Sequence, residues 1–372
     1  MNEPIRVLHV LGNLNAGGAE SRIMDIYRNV DRSKVQFDFA IHTNEQCFYS
    51  KEVLKLGGKI YSFPRFNGLN LIDYLFEWCN FFENHPDIDI IHGHLLATSI
   101  FYNFYAYKHK VKLRIVHSRN ANSSNFIKKI FTKFSHFYAT HLFAVSDLAG
   151  IYAFGKRRMK KGKVMILPNA INARIFKYNK GDRAKIRKKY GIENEIVIGH
   201  IGRFHFQKNH KFLIDIIKEL YEKNNEVKLM LVGDGDLRYE IENKIKSLNI
   251  HNIVILTGIK NNIHLYLQAM DILVFPSIFE GFPGVVLEAQ AAGLPCIISD
   301  TITKEVNITG LVKYVSINKS ANEWVTIILD HLKGYERKDT YETIVNAGYH
   351  IVNVAKWYEK FYLKDSSKHS FI

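Results

Sequence analysis

Short apolar runs alternate with amphipathic helical patterns along the whole of this 372-residue chain. Apolar runs of about four to six residues are typical of strands buried on both faces of a sheet, and the helices between them must then cross over that sheet. The alternation therefore predicts parallel, doubly wound α/β sheets. Because the rhythm occurs twice and the chain is long enough for two hydrophobic cores, we expect two such domains.

The predicted strands place the boundary between the two domains. Strands are predicted at residues 7–11, 37–42, 59–63, 88–92, 113–117, 142–145 and 164–167, and again at 196–201, 227–232, 253–256, 272–275 and 295–299. We expect the boundary between about 173 and 195, where the polar, basic stretch at 179–191 is interpreted as a hinge. We expect an N-terminal domain at 1–175, a C-terminal domain at 176–345, and a last segment at 346–372. That segment contains most of a helix predicted over about 345–362, followed by a frayed tail.

Positive charge is concentrated in one part of the chain. The 51 Lys and Arg residues exceed the 36 Asp and Glu residues and give a formal net charge of +15. Residues 101–190 hold 22 basic and two acidic residues, a net charge of +20, whereas the rest of the chain is weakly acidic. Such a one-sided field suits an anionic partner: phospholipid, nucleic acid or a pyrophosphate-linked substrate.

Cysteine content and hydropathy indicate where the protein resides. Cys47, Cys79 and Cys296 lack the spacing of a metal site or a disulfide framework, which favours a reducing compartment. The longest apolar run, at 91–100, is interrupted by polar residues and falls short of the roughly 20 residues that a membrane span needs. The first residues run directly into a predicted strand, so we expect no signal peptide and a cytoplasmic location.

Two loops at predicted strand ends carry groups that bind anions. Gly17 and Gly18 follow the first strand, where N–H groups at a helix start face the crevice of an open α/β sheet. Arg203 and Lys208 follow the strand at 196–201 and can converge on one diphosphate. The glycine spacing differs from the GxGxxG pattern of dinucleotide-binding dehydrogenases. A tight turn and two solvated surface cations are the alternative interpretations.

A third loop pairs two carboxylates across the start of a predicted helix. Glu280 follows the strand at 272–275, and Glu288 lies eight residues further on, in the helix. The residues of the turn after Glu280 are Gly281, Phe282, Pro283, Gly284 and Val285. Apart from Pro283, which has no N–H, these residues have backbone N–H groups that can bind phosphate or sugar hydroxyls, and the two carboxylates can hold opposite ends of an elongated ligand. A helix-capping role for Glu280 is the alternative.

The order of these motifs closely resembles that of the GT-B glycosyltransferases of the retaining family 4. The resemblance covers nearly the whole chain. Its motifs are Gly17-Gly18-x-Glu20, His92-Gly93-His94, Val116-His117-Ser118, Val145-Ser146, Pro168-Asn169, Gly202-Arg203 with Lys208, Gly233-Asp234-Gly235, and Glu280 to Glu288 followed by Ala291-Ala292-Gly293-Leu294-Pro295. The segment from Glu280 onward is most similar to bacterial capsular and exopolysaccharide glycosyltransferases.

The resemblance implies a fold and a reaction. The fold would be GT-B, with two Rossmann-like domains that face a central cleft and a C-terminal helix that crosses back to the first domain. The reaction would move a sugar, with retention of configuration, from a UDP-hexose or UDP-N-acetylhexosamine to a lipid-linked oligosaccharide. UDP is expected from family frequency alone. A front-face attack, in which the departing phosphate helps to deprotonate the acceptor, is inherited from the family.

The resemblance also assigns roles to the C-terminal residues. Arg203 and Lys208 would bind the donor diphosphate and neutralise the leaving group, and Glu288 would bind the ribose. Glu280 and the backbone of residues 282–285 would bind the transferred sugar.

Two further assignments concern the N-terminal domain. Gly17 and Gly18 would close on the diphosphate from that domain. His117 would lie near the C6 hydroxyl and the anomeric centre of the sugar, although a lone histidine at a strand end is otherwise more often structural.

We expect no metal or other cofactor. Asp234 and Asp236 form the only close Asp pair near a strand end, and the resemblance places their loop near the base. Arg203 and Lys208, with the helix start near Gly284, offer a metal-free way to stabilise the diphosphate.

The acceptor is predicted from the basic region at residues 101–190. A helix over 124–141 would place Phe126, Ile130, Phe134, Phe137 and Tyr138 on one face, with lysines elsewhere, as in an interfacial helix. An ordinary packed helix is the alternative. The basic run at 156–163 could hold the protein on anionic lipid at the inner face of the cell membrane. A polyprenyl-pyrophosphate-linked glycan acceptor would account for both features.

Two other functions compete with glycosyl transfer. A GT-B nucleotide-sugar epimerase would give a product without any acceptor. A nucleic-acid-binding protein would use the charge of residues 101–190, but the sequence lacks a zinc pattern, a basic leucine zipper and an RNP-like aromatic strand. We therefore favour the glycosyltransferase and expect no nucleic-acid partner.

Overall fold

A computed structural model describes residues 3–122 and 126–367 of the chain. These residues form two compact units. The first contains the residues up to Ala170 together with Ile351 and the residues after it, and the second runs from Ile171 to His350. The domain limits expected at 175/176 and 345/346 each differ from these limits by five residues.

Strands and helices alternate through the described part of both units. The strands are β1 Ile5–Leu11, β2 Val35–Ile41, β3 Ile60–Ser62, β4 Ile88–Gly93, β5 Leu113–Ser118, β6 His141–Ala144, β7 Met165–Ile166, β8 Ile196–Ile201, β9 Val227–Val232, β10 Val254–Leu256, β11 Ile272–Phe275, β12 Cys296–Ser299 and β13 Val312–Val315. The helices are α1 Gly18–Asn29, α2 Ser50–Lys55, α3 Leu71–Asn84, α4 Ser99–Lys108, α5 Phe126–Thr132, α6 Asp147–Phe154, α7 Lys156–Lys160, α8 Ala173–Phe176, α9 Lys180–Tyr190, α10 His210–Lys223, α11 Arg238–Ser247, α12 Ile263–Ala269, α13 Gly284–Ala291, α14 Ala321–Leu332, α15 Tyr341–Asn346 and α16 Ile351–Ser367.

The first unit is built on a parallel sheet with the strand order β3-β2-β1-β4-β5-β6-β7. Every residue of β2 is buried, because helices cover both faces of the sheet. One face packs against α1 and α16, whose Tyr358 and Tyr362 are buried with Phe37 and Phe39 of β2. The other face packs against α3 and α4 around Trp78. The expected return of the C-terminal helix to the first domain is confirmed.

The second unit has a parallel sheet with the order β10-β9-β8-β11-β12-β13. Apolar residues of α10, α11 and α14 cover one face, and Trp324 of α14 is fully buried there. The prediction of two doubly wound parallel sheets is therefore confirmed. The sequence did not predict β13, because exposed Lys313 interrupts its apolar run at the edge of the sheet.

The strand order of each sheet reverses at one point. In the first unit, β1 lies between β2 and β4, and in the second unit β8 lies between β9 and β11. The crossover helices on the two sides of such a point go to opposite faces, so the loops beyond the carboxyl ends of these strands border a crevice. Ligand-binding residues are therefore expected after β1 and β4, and after β8 and β11.

The hinge predicted at 179–191 is wrong, because residues Lys180–Tyr190 form the packed helix α9. In α9, Arg183 donates to Asp271 Oδ1 at 2.6 Å, and Arg187 donates to Asp271 Oδ2 at 3.1 Å. Ile186 on the same helix is buried. Asp271, which lies just before β11, thereby ties α9 to the second sheet.

Two predicted helices also differ from the structure. The helix predicted over 345–362 is split, because the chain turns at Gly348, where φ is 85°. The predicted frayed tail overlaps the end of α16, and residues 368–372 lie outside the described residues.

The helix predicted over 124–141 is shorter. Residues 124 and 125 are not among those described, and α5 ends at Thr132. The chain then turns so that Ser135 is buried and its carbonyl accepts a hydrogen bond from Ser99 at 3.1 Å.

Replacement of Asp271 is expected to destabilise the second unit. Asp271→Ala leaves Arg187, whose side chain is 6% exposed, without its carboxylate partner. Such a loss should lower the free energy of unfolding by about 3 kcal/mol in urea denaturation. The control, Asp330→Ala, removes an ion pair with exposed Lys333 and should cost less than about 0.5 kcal/mol. Equal effects of the two substitutions would contradict this account of α9.

Candidate functional site

In the second unit, the loops after β8 and β11 bring together two of the predicted site residues. Lys208 Nζ donates to Glu280 Oε1 at 2.6 Å, and the two side chains are 18% and 11% exposed. Lys208 Nζ also lies 4.6 Å from the ring centre of Phe275, the last residue of β11. Because little water screens this cation, it can attract an anionic ligand more strongly than a fully exposed lysine would.

Hydrogen bonds between the two loops hold this pair in place. Gln207 Nε2 donates to Phe279 O at 2.8 Å, and the N–H of Ile278 donates to Gln207 O at 2.8 Å. Asn209 Nδ2 donates to Pro276 O at 3.2 Å. The side chains of Lys208 and Glu280 therefore meet on a backbone that is already ordered.

The turn after Glu280 leads directly into α13. Glu280 is 8% exposed, and Glu288 on α13 is 2% exposed. Phe282 stacks on Tyr349 with 5.6 Å between ring centres, which anchors the turn. The N-terminal N–H groups of α13 can donate to an oxygen-rich ligand, and the carboxylates can accept from its hydroxyl groups.

Arg203 does not share a partner with Lys208. Its Nη2 donates to Asp236 Oδ2 at 2.8 Å, and the two side chains are 60% and 71% exposed. An exposed pair of this kind contributes little stability, so Arg203 can exchange Asp236 for a phosphate at small cost. Convergence of Arg203 and Lys208 on one diphosphate stays a prediction.

In the first unit, Gly17 and Gly18 occupy the start of α1. A Cβ atom added at Gly17 would lie 2.2 Å from the Glu20 carboxylate, whereas one added at Gly18 would meet no atom within 4 Å. The contact at Gly17 is with the end of a flexible side chain that can move away, and Gly18 leaves its backbone open to a ligand. Their role in donor binding stays a prediction.

Four histidines gather at the carboxyl ends of β1, β4 and β5. His9 Nδ1 lies 3.1 Å from His94 Nε2, and His92 Nε2 lies 3.2 Å from His117 Nδ1. The imidazole rings of His92 and His117 stack with 5.3 Å between their centres. The predicted site residue His117 thus belongs to a buried polar network.

These imidazoles are uncharged at neutral pH. Burial is the largest cause that lowers the pKa of each of the four histidines, and the positive charge of Arg119 lowers it further. The pKa of His9 falls to about 3. Since a neutral imidazole carries one N–H, each ring can donate one hydrogen bond and accept one.

Three of these histidines have the spacing of metal ligands. The nitrogen atoms of His9, His92 and His94 lie within 4.8 Å of one another. However, Arg119 Nε donates to His94 Nδ1 at 3.0 Å. A guanidinium this close repels a dication, and a histidine that ligates a metal instead donates its second N–H to an acceptor. The donor set therefore fits a network of neutral imidazoles better than it fits a metal.

A small cavity of the first unit borders His117. Arg22, Arg119, Asn169 and Tyr358 contribute to its walls. Arg119 Nη1 donates to Asn169 Oδ1 at 3.0 Å, and His117 Nε2 is buried without a hydrogen-bond partner among the described residues. Among the polar residues of this lining, hydrogen-bond donors and cations thus predominate, and apolar residues such as Leu167 and Val354 form the rest of the wall.

Several residues of the histidine network and of the loops around Lys208 were not identified from the sequence. They are His9, Arg119, Tyr358, Tyr362 and Gln207. Asn169 and Asp236 were singled out in the sequence, but not as the partners of Arg119 and Arg203. A polar residue inside an otherwise apolar strand, such as His9 in β1, was a usable signal. The residues on α16 had no signal of this kind, because an aromatic residue on an amphipathic helix is usually part of the core.

Two doubly wound parallel sheets, each with a polar cluster at its strand-order reversal, define the GT-B class of glycosyltransferase fold. The family model for glycosyl transferases group 1 matches residues 182–350. The Bacillus subtilis protein named "Putative glycosyltransferase EpsF" is 35% identical over 355 residues, which cover 92% of each chain. The chain therefore belongs to the group 1 glycosyltransferases and is a transferase.

Many other proteins resemble the chain, among them an Escherichia coli enzyme and an Anabaena protein of known structure. The Escherichia coli UDP-Gal:alpha-D-GlcNAc-diphosphoundecaprenol alpha-1,3-galactosyltransferase is 31% identical over 201 residues, which cover 51% of each chain. The crystal structure of HepE from Anabaena in complex with UDP-glucose aligns with a TM-score of 0.73 at 17% identity and covers 98% of each chain. At this identity the second similarity concerns the fold alone.

The buried histidines should make stability depend on pH. Their native pKa values lie below the usual 6.5, so the unfolded chain takes up protons first as the pH falls. The free energy of unfolding should therefore fall below about pH 6.5, by about 1.4 kcal/mol per pH unit for each such histidine. His9→Gln should reduce this slope by about one proton in urea denaturation between pH 7.5 and about pH 5.

The matched control is His251→Gln, which changes an exposed histidine and should leave the slope unchanged. A slope that is the same in His9→Gln as in the wild type would mean that His9 is not held neutral in the native state.

Proposed function

We propose that this glycosyltransferase moves a hexose or N-acetylhexosamine from a UDP-sugar to a polyprenyl-pyrophosphate-linked glycan, with retention of configuration, in capsular or exopolysaccharide biosynthesis. The observation that carries the donor assignment is the shielded pair of Lys208 and Glu280 at the strand-order reversal of the second unit. It lies beside the start of α13. A cation, a carboxylate and helix N–H groups at one place match the needs of a sugar diphosphate.

In this proposal, Lys208 binds the diphosphate and neutralises the charge that grows on it as the glycosidic bond breaks. Its bond to Glu280 keeps the ammonium in position before the donor arrives, which reduces reorganisation during the reaction. Arg203 exchanges Asp236 for the diphosphate and donates to it through two N–H groups of its planar guanidinium. With two cations and the start of α13 available, the diphosphate needs no metal.

The carboxylates are assigned to the two ends of the donor. Glu288 accepts hydrogen bonds from the ribose hydroxyls. Glu280 accepts hydrogen bonds from the transferred sugar, and the backbone N–H groups of Phe282, Gly284 and Val285 donate to it. The 2% and 8% exposures of Glu288 and Glu280 support these roles, because hydrogen bonds to shielded carboxylates are strong.

The assignment to the retaining family 4 rests on the motif order. Two-carboxylate retention would need a nucleophile about 5 Å from an acid. Because Glu280 is assigned to the donor sugar, we propose instead that the departing phosphate helps to deprotonate the acceptor on the same face.

The related proteins support the nature of donor and acceptor. HepE was crystallised with UDP-glucose, and the E. coli relative is named for UDP-Gal and a diphosphoundecaprenol acceptor. Both names contain UDP, and the second contains a lipid diphosphate. They support the same two ligand classes for this chain.

We also propose that the first unit lies on an anionic membrane surface, at the inner face of the cell membrane. Among the described residues, no helix combines the length and apolar character needed to cross a bilayer. Contact would instead use the basic apolar surface, defined here as residues 127–138 and 156–163. Its exposed apolar side chains are Ile127, Ile130, Phe134, Phe137 and Tyr138.

The two segments of the basic apolar surface are neighbours. Arg158 Nη2 donates to His136 Nε2 at 2.5 Å, which joins the basic run to the loop after α5. The exposed cations of this surface are Lys128, Lys129, Lys133, Lys156, Arg157, Lys160, Lys161 and Lys163. Apolar side chains between exposed cations are typical of surfaces that insert into the headgroup layer of an anionic bilayer.

Binding of UDP should raise the thermal stability of the protein. At about 100 times its Kd, UDP should add about 2.7 kcal/mol to the free energy of unfolding. Lys208→Ala and Glu288→Ala should abolish most of this gain, and EDTA should not change it. Thermal-shift titrations with UDP, GDP and ADP measure these effects.

The matched control for Lys208 is Lys211→Ala, which removes a 57% exposed lysine and should respond to UDP like the wild type. If no nucleoside diphosphate stabilises the protein, or if Lys208→Ala responds normally, the proposed donor site is wrong. An altered sugar nucleotide formed without any acceptor would indicate an epimerase instead.

Vesicle binding tests the basic apolar surface. Replacement of Lys160, Lys161 and Lys163 by Gln should weaken binding to phosphatidylglycerol vesicles roughly 100-fold, because each cation contributes about 1 kcal/mol. The control replaces exposed Lys185, Lys188 and Lys189 of α9 by Gln and should bind normally. Co-sedimentation measures both. Equal losses, or equal binding to phosphatidylcholine vesicles, would rule this surface out.

A further inference from the structure

A buried chain of hydrogen bonds connects the C-terminal helix to His117. The hydroxyl of Tyr362 on α16 lies 2.7 Å from His92 Nδ1, and His92 Nε2 lies 3.2 Å from His117 Nδ1. The exposures of the three residues are 0% for Tyr362 and 1% for each histidine. This series of hydrogen bonds ends at His117 Nε2, which has no partner among the described residues. His117 and Arg119 both line the small cavity of the first unit.

The protons in this chain can be arranged in two directions. In the first, the Tyr362 O–H donates to His92, and the His92 Nε2–H donates to His117. Only one buried group, the His117 Nε2–H, is then left unpaired. In the second direction, His117 donates to His92 and His92 donates to the Tyr362 oxygen.

The second direction leaves two groups unpaired: the Tyr362 proton and the His117 Nε2 lone pair. The bond to His92 is the only one that the Tyr362 hydroxyl makes among the described residues. Since each unpaired buried polar group is costly, the first direction is favoured. His117 then carries its proton on Nε2, at the cavity.

A second row of hydrogen bonds begins at Arg119 and also directs its protons towards the Nε2 atom of a buried histidine. Arg119 has no acceptor atom, so its Nε–H must donate to His94 Nδ1. A neutral His94 therefore has its proton on Nε2 and donates it to His9 Nδ1, 3.1 Å away. His9 then carries its proton on Nε2, which is also buried and unpaired among the described residues. In each row, the first donor determines which nitrogen carries the proton in the two histidines that follow. This donor is Tyr362 in the first row and Arg119 in the second.

We propose that Tyr362 is a positioning residue that acts through His92 to hold His117 as the Nε2–H tautomer. His117 then donates a hydrogen bond to an electron-rich oxygen of the substrate and does not act as a general base. The nearby guanidinium of Arg119 favours the same kind of ligand atom, because a partly negative oxygen is attracted to it. The identity of this oxygen, a sugar hydroxyl or a phosphate, rests on the proposed function; the tautomer does not.

The tautomer can be measured without any substrate. In the full chain labelled with ¹⁵N-histidine, two-bond ¹H–¹⁵N correlation spectra show which nitrogen of each neutral imidazole carries the proton. The His117 signal is assigned with the His117→Gln variant. We expect at least about a tenfold excess of the Nε2–H form in the wild type, because the other form leaves one more buried group unpaired.

Tyr362→Phe removes the hydroxyl group that begins the series of hydrogen bonds to His117. Both directions then leave two groups unpaired, so the two His117 tautomers should become comparable in population. The matched control is Tyr358→Phe, one helical turn earlier on α16. Tyr358 is also buried, but its hydroxyl makes no hydrogen bond to a histidine among the described residues. Its variant should keep the wild-type tautomer ratio.

Three results would overturn the proposal: a proton on His117 Nδ1 in the wild type, an unchanged ratio in Tyr362→Phe, or an equal change in Tyr358→Phe. A structural role of Tyr362 alone would lower stability without changing the ratio. If the tautomer is as expected but UDP does not bind, the proposed function fails and the histidine assignment stands.

Discussion

The chemistry of this protein depends on the parallel pairing of its strands. Because parallel strands end at the same edge of a sheet, side chains from distant segments meet there: His9, His92 and His117 in the first unit, Lys208 and Glu280 in the second. The sheets are stable only when helices cover both faces. The same burial keeps these polar groups away from water, which strengthens their interactions.

Much of the sheet architecture could be predicted because its signals are local. The strands β8, β9 and β11 were predicted with the bounds that the structure has, since each is a largely apolar run between polar turns. The loops after β8 and β11 could also be located from such runs. That Lys208 and Glu280 touch required the neighbour relation of these strands, which no local pattern contains and which only the family resemblance implied.

The features that were missed depend on contacts over long sequence distances. The basic, polar sequence of α9 suggests a hinge, because its packing depends on a residue far along the chain. Asp271 lies more than 80 residues later and pairs with Arg183 and Arg187. The exposed partner of Arg203 lies 33 residues away. His92 and Tyr362 are 270 residues apart, so neither sequence neighbourhood shows that the other residue determines its hydrogen bond.

The placement of α16 has a consequence for synthesis. The first unit is discontinuous in the chain, whereas the second is continuous from Ile171 to His350. During translation, the core around β1 and β2 stays incomplete until α16 has left the ribosome, although its strands and α1 are made first. The second unit can close before the first does. The first unit, whose synthesis begins first, is thus completed after the second, and the bond between His92 and Tyr362 in the histidine network forms only at that stage.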